Sequence, residues 1–220
     1  ISYNRKVCRD PRYGTFRSLF KTGDMYEVKF CYETIPNEIA PVDDEAYIAN
    51  SVEFYVTCAD VETGEAVYHK SESMEKSIKW IQASASMPLV SKPVEIDGKK
   101  YLDGGIVDSI PISFFRQQGF DKNIVVLTRP RGYVKGKNKL TWLARILLRK
   151  YPAIVKAMSC RHIGYNKTLK ELEVLKQQGE VLLFYPEESA MISRTEHNPE
   201  KLQMCYEAGR NAALSRLEEL

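Results

Sequence analysis

The residues best suited to chemistry lie in one run, Tyr101-Leu102-Asp103-Gly104-Gly105-Ile106-Val107-Asp108-Ser109-Ile110-Pro111. The carboxylate of Asp103 is followed at once by two glycines. Consecutive glycines permit unusual backbone angles and the close approach of a second backbone or a ligand. A carboxylate held on so short a loop can act as a general base toward a weak nucleophile within hydrogen-bond reach. It can equally cap the turn that follows it, and the residues alone leave both readings open. A calcium loop fits poorly, because Asp97, Asp103 and Asp108 lack EF-hand spacing.

The surrounding pattern predicts the elements that would position this loop. Val94-Glu95-Ile96, a tight Asp97-Gly98 turn and Lys99 to Leu102 predict a hairpin that delivers Asp103 at a strand end. Glu53 to Ala59 is rich in β-formers and predicts a strand; Glu62-Thr63-Gly64-Glu65 predicts a turn, and Ala66 to His69 a second strand. Asp43 to Asn50 predicts a short helix, and Glu72 to Ser84 a longer one stopped by Pro88. Downstream, Ile112 to Gln118 predicts a helix ending at Gly119. Asn123 to Leu127 is a continuous apolar run, the pattern of a strand buried on both faces. Leu140 to Gln178 predicts helix with a break near Pro152, and Val181 to Tyr185 another strand. Pro199 to Leu220 predicts a closing helix with proline in its first turn. Strands alternating with helices predict a layered α/β fold.

At 220 residues, 44% of them hydrophobic and 28% charged, the chain reads as globular and soluble rather than disordered. The apolar region near Trp142 is interrupted by Arg145, so no membrane-spanning helix is predicted. Five scattered cysteines without a Cys-x-x-Cys, and three lone histidines (His69, His162, His197), suggest no zinc site, no disulfide framework and a reducing, cytoplasmic setting. The chain opens at Ile1 with no signal peptide, which suggests a fragment of something longer. The net charge of +3 hides a division: Lys122 to Lys170 holds 13 Lys and Arg and no acid, leaving 19 basic against 29 acidic residues elsewhere. Such asymmetry suggests an anionic partner. Within it, Leu140, Leu143, Ala144, Leu147, Leu148 and Tyr151 form a helical apolar stripe, with Arg145, Arg149 and Lys150 off it and Trp142 near one end. A core-packed helix with a solvated basic face is one reading, and a helix lying on an anionic membrane is another. Nucleic acid is the weakest, because no reader motif accompanies the charge.

Three segments together, Ala83-Ser84-Ala85-Ser86-Met87-Pro88-Leu89-Val90, the hairpin through Asp103-Gly104-Gly105, and Ile110-Pro111, resemble the second half of a patatin-like phospholipase domain. Asp10-Pro11-Arg12-Tyr13, Phe54-Tyr55-Val56 with Thr63-Gly64, Val125 to Tyr133, and Arg149-Lys150-Tyr151-Pro152 extend the resemblance to a bacterial branch of that family. The resemblance implies an α/β/α domain with a central, mostly parallel sheet, a β-hairpin and a helical C-terminal extension, divided as residues 1–128 and 129–220. It implies lipid or other acyl-ester hydrolysis by a serine–aspartate dyad, with no metal or organic cofactor. Asp103 would be the base and Gly104 and Gly105 would shape its loop. The dyad needs no histidine. The family's Gly-x-Ser-x-Gly and glycine-rich oxyanion loop do not occur in this sequence. In the family both precede the region where this sequence begins, so the chain alone is expected to be inactive. The other class of function carried forward is a non-catalytic module that meets anionic lipid through residues 122–170.

Other motifs read as structural. Ser73-Met74-Glu75-Lys76 and Lys21-Thr22-Gly23 match fragments of the penicillin-binding serine enzymes in the wrong order. Ser84 and Ser86 are expected to let a helix end pack closely rather than to attack a substrate. Asp108 could share the site or orient the loop, but a turn or cap role is expected, and Cys58 is expected to be a packed thiol.

Overall fold

The computed structural model describes residues 2–193 and 195–216. Its chain divides into two compact units. One, the antiparallel-sheet unit, comprises Pro11–Ile110 and Gly136–Gly164; the other, the parallel-sheet unit, comprises Ile1–Asp10, Pro111–Lys135 and Tyr165–Leu220.

In the first unit, β1 (Phe54–Asp60) and β2 (Ala66–Ser71) pair antiparallel. The turn between them is closed by Asp60, whose carboxylate accepts the Glu62 and Thr63 amides, and by Gly64 at φ +70°. β3 (Val94–Ile96) and β4 (Lys99–Asp103) form the predicted hairpin. Asp97 and Gly98 both adopt positive φ, as a two-residue primed turn demands. β4 then pairs antiparallel with β1, so the sheet order is β2-β1-β4-β3. This corrects the expected mostly parallel central sheet. Both hairpins have turns too short to make anything but antiparallel neighbours; a parallel pair requires a long crossover.

Alternate residues of this sheet face opposite clusters. On one face Val56, Cys58, Tyr101, Val94 and Ile96 pack with Ala83, Trp80 and Ile81 of α4 (Met74–Ala85). On the other, Ala59, Val61, Leu102 and Ile106 pack with Ala144 of α6 (Thr141–Leu147) and Ile154 and Met158 of α7 (Pro152–Gln177). Helix α7 begins at Pro152, where the sequence predicted a break, because proline is tolerated only in a first turn. Of the predicted stripe, Ala144 is buried and Leu148 and Tyr151 pack on this cluster. Leu140 and Leu147 are instead exposed.

Helix α4 starts at the Ser73 hydroxyl, which accepts the Lys76 amide, while the Lys76 ammonium pairs with Glu72. The Ser-x-x-Lys resemblance is therefore a helix cap. Likewise Gly23 of Lys-Thr-Gly, at φ +83°, is the left-handed cap that ends α2 (Phe16–Thr22). The remaining helices of this unit are α3 (Asp44–Ala49) and a wide ten-residue turn over Phe30–Ile39 that the sequence reading did not anticipate.

In the second unit, β5 (Asn123–Val126) and β6 (Val181–Phe184) form a parallel pair. Around them lie α1 (Ser2–Val7), α5 (Ile112–Gln117), the second half of α7 and α8 (Pro199–Leu214). The expected burial of β5 on both faces does not hold. Ile124 and Val126, which share one face of β5, are 59% and 73% exposed, because nothing among the described residues covers that face. The predicted closing helix ends at Leu214, and residues 217–220 lie outside the described residues. The acid-free stretch is divided too: its residues 122–135 and 165–170 belong to this unit and 136–164 to the other.

Candidate functional site

Asp103 is the last residue of β4 and sits opposite Cys58 of β1. Its amide donates to the Ser86 carbonyl (2.9 Å), which ties the strand end to the end of α4. Its Oδ1 accepts the Gly105 amide at 2.7 Å, opening the short helical turn Gly104–Ile106. The capping reading of Asp103 is thus met in the structure, and the same bond holds the carboxyl in one orientation.

The glycines do different jobs. A Cβ on Gly104 would lie 2.3 Å from the Thr57 carbonyl oxygen and 2.5 Å from its carbon. No side chain fits there without moving β1. A Cβ on Gly105 would lie 3.0 Å from Asp103 Oδ1 and 3.1 Å from Nη2 of Arg161. Gly105 therefore keeps clear the space beside the carboxyl and a guanidinium.

Arg161 was not singled out by the sequence. It projects from α7, and its Nε and Nη2 donate to the Ser109 hydroxyl, both at 3.4 Å. That hydroxyl donates to the Gly105 carbonyl (2.6 Å). On the same loop the Tyr68 hydroxyl donates to Asp108 Oδ2 (2.6 Å), and Asp108 Oδ1 accepts the Ile110 amide. Asp108 thus caps the turn at Ile110, the role expected for it, and its other oxygen is tied to β2 through Tyr68. The only sequence signal for Arg161 was its helical phase, three residues beyond the buried Met158, which left its partner unspecified.

Burial holds Asp103 above the usual carboxylate pKa; the Gly105 amide and the Arg161 charge pull it partly back. A carboxyl lifted in this way is a better proton acceptor than an exposed one. Burial, with Asp103 alongside, pushes the Cys58 thiol up to about 12, so it is a packed thiol and not a thiolate nucleophile. Ser84 donates to the Thr57 carbonyl and Ser86 to the Gln82 carbonyl, both at 2.8 Å. Both hydroxyls serve the backbone. His69 stacks on Trp80 with centroids 4.4 Å apart and meets Ser77, and His197 meets the Cys8 carbonyl.

Two outcomes follow from this geometry. Gly104→Ala should destabilise the chain by roughly 1–3 kcal/mol, since its obstacle is backbone. Gly105→Ala meets only side-chain ends and should cost less; urea unfolding of the pair compares them. Because Asp103's folded pKa is raised, its contribution to stability is complete below the ordinary carboxylate pKa and is lost as pH rises through the folded value. Asp103→Asn, which keeps an acceptor for the Gly105 amide, should therefore be more stable than the parent at pH 7. The gap should close below about pH 4. Equal stability at both pH values would contradict the assigned burial.

A family model described as patatin-like phospholipase matches residues 7–116, and one described as a domain of unknown function (DUF6363) matches residues 151–220. Asp103 and Ser109 fall in the first match and Arg161 in the second. The uncharacterized protein YjjU of Escherichia coli (strain K12) is 27% identical over 136 residues, which is 58% of this chain and 38% of that protein. The chain thus spans well under two thirds of the length of this curated relative. With half of its residues inside the first match, the Asp103 loop among them, this chain belongs to the patatin-like phospholipase family.

Proposed function

We propose that the chain is part of a serine acyl hydrolase acting on lipid esters, to which it contributes the general base Asp103. The observation that carries this reading is the Asp103 carboxyl itself, half-buried at the strand end, raised in pKa and held in one orientation by the Gly105 amide. A serine hydroxyl is a weak nucleophile at neutral pH and gains from a proton acceptor placed against it. Asp103 would take the hydroxyl proton as the oxygen attacks the ester carbonyl, and return it to the leaving alcohol as the tetrahedral intermediate collapses. Arg161 would act through the loop: it holds Ser109, which holds the Gly105 carbonyl, and its charge limits how far the Asp103 pKa rises. The nucleophile would come from a Gly-x-Ser-x-Gly segment, a motif that these 220 residues do not contain.

In a polypeptide that joins this chain to such a segment, Asp103→Asn should lower kcat/KM for short- and long-chain 4-nitrophenyl esters by about 10⁴-fold or more. These 220 residues alone should give no serine-dependent turnover. Undiminished activity of the asparagine variant would sink the assignment.

A second property rests on a separate observation. On α6, Trp142 and Ile146 are about 60% exposed, beside the exposed Arg145, Arg149 and Lys150. Exposed aromatic and aliphatic side chains flanked by cations suit the interface of an anionic membrane. No helix among the described residues is long and apolar enough to cross one. With about 1 kcal/mol for each cation near the surface, the contact would orient the protein without anchoring it. Trp142 emission should shift to the blue on phosphatidylserine vesicles and not on phosphatidylcholine vesicles. Arg145→Gln/Arg149→Gln/Lys150→Gln should abolish the shift.

A further inference from the structure

The parallel-sheet unit contains a cavity of about 490 Å³ that the proposed reaction does not use. Leu127 and the loop from Arg129 to Val134, which follow β5, line one side. Tyr185, which follows β6, and one face of α7 from Tyr165 to Glu173 line the rest. The cavity therefore opens at the carboxyl ends of two parallel strands, where α/β folds form ligand sites. Its volume lies in the range of small-molecule pockets.

The lining is organised. Tyr133 and Tyr165 meet edge to face, with centroids 6.1 Å apart at 85°. The Arg129 guanidinium lies over Tyr133, 5.2 Å from its centroid, and the Lys135 ammonium lies over Tyr165 at 4.7 Å. Asn166 accepts the Lys135 amide (2.8 Å) and donates to the Lys135 carbonyl (3.0 Å), so the loop is clamped to the helix through its backbone. Among the charged lining residues, Arg129 and Lys170 face one acid, Glu173, which already accepts the Tyr185 hydroxyl at 2.7 Å. Burial, then Glu173, pushes the Tyr185 phenol up to about 12, so it stays a neutral donor.

The walls are thus mainly aromatic and aliphatic, with an excess of positive charge. An inorganic anion would waste the apolar walls, and a neutral hydrocarbon would leave the cations unanswered. We infer that this cavity binds a single-chain fatty carboxylate, its tail against Leu127, Leu169 and the tyrosines and its head toward Arg129 and Lys170. That this amphiphile is also the product class of the reaction rests on the acyl-hydrolase reading; the binding site itself rests on its lining.

Calorimetry with dodecanoate, titrated below its micelle concentration into the 220-residue chain, tests the inference. Saturable one-to-one binding is expected, with dodecanol and inorganic phosphate each at least roughly tenfold weaker, since each lacks one half of the recognition. Arg129→Gln/Lys170→Gln, which removes both lining cations and with them the contact of Arg129 on Tyr133, should weaken dodecanoate about tenfold or more and leave dodecanol unchanged. Leu169→Trp, which fills the cavity, should abolish binding, with circular dichroism confirming the fold. Asp103→Asn should bind dodecanoate as the parent does. Dodecanol binding as tightly as dodecanoate, or dodecanoate binding that survives Leu169→Trp, would overturn the inference. Because Asp103→Asn separates the two claims, loss of the cavity result leaves the hydrolase reading standing, and loss of Asp103-dependent activity leaves the cavity standing.

Discussion

The antiparallel-sheet unit depends on the close approach of β4's end to β1. The Cα of Gly104 passes the Thr57 carbonyl so nearly that even a methyl group would collide with backbone. That proximity lets Asp103 stand opposite Cys58 and the chain turn immediately into Gly104–Ile106. It also seats Leu102 and Ile106 in the core beneath. The carboxyl is held where the sheet ends, and its position is set by main-chain contacts that side-chain changes elsewhere do not easily shift. Functional groups benefit from such rigid elements, because small displacements of a base carry large losses in rate.

Burial of Asp103 opposes folding at neutral pH. A raised pKa means that the folded chain would rather hold the proton, so ionised Asp103 is a local destabilisation held in place by the surrounding core. Arg161 moderates it. The guanidinium sits on α7, whose Ile154 and Met158 pack on the face of the sheet opposite α4. The helix that completes one face of the core thereby also brings a charge to the loop at the sheet's end. The segment matched by the second family model is not merely appended to the first: within this unit it supplies core, charge and a link in the hydrogen-bond chain from Arg161 through Ser109 to Gly105.

Much of the architecture was legible in local pattern. The Asp97-Gly98 hairpin, the Gly64 turn, the start of α4 beneath Ser73, the α7 boundary at Pro152 and the stop at Gly119 all follow from residues whose preferences act over a few positions. Ser86, bonded to the Gln82 carbonyl, and Asp108, which caps the Ile110 amide, are short-range features of the same kind, whereas the bond of Ser84 to Thr57 and the burial of Cys58 depend on distant segments. Two other features were not. The apolar run of β5 reads as a doubly buried strand, yet exposure depends on what covers it, and Ile124 and Val126 are uncovered. The acid-free stretch reads as one surface, yet the chain distributes it between two units.

By itself the sequence determined the Asp-Gly-Gly loop at a strand end, the hairpin that presents it, and the family to which that combination belongs. These are short-range properties: a turn needs its glycine and a cap its hydroxyl wherever they occur. Tertiary structure alone decided that β4 pairs antiparallel with β1 to join the two hairpins in one sheet, that Arg161 reaches Ser109 across 52 residues of chain, and that Leu127, Tyr133, Tyr165 and Tyr185 line one cavity. Each joins segments far apart in sequence. Which distant segments meet is settled by the burial of shared apolar surface and by strand register, and neither is written in any one stretch of residues.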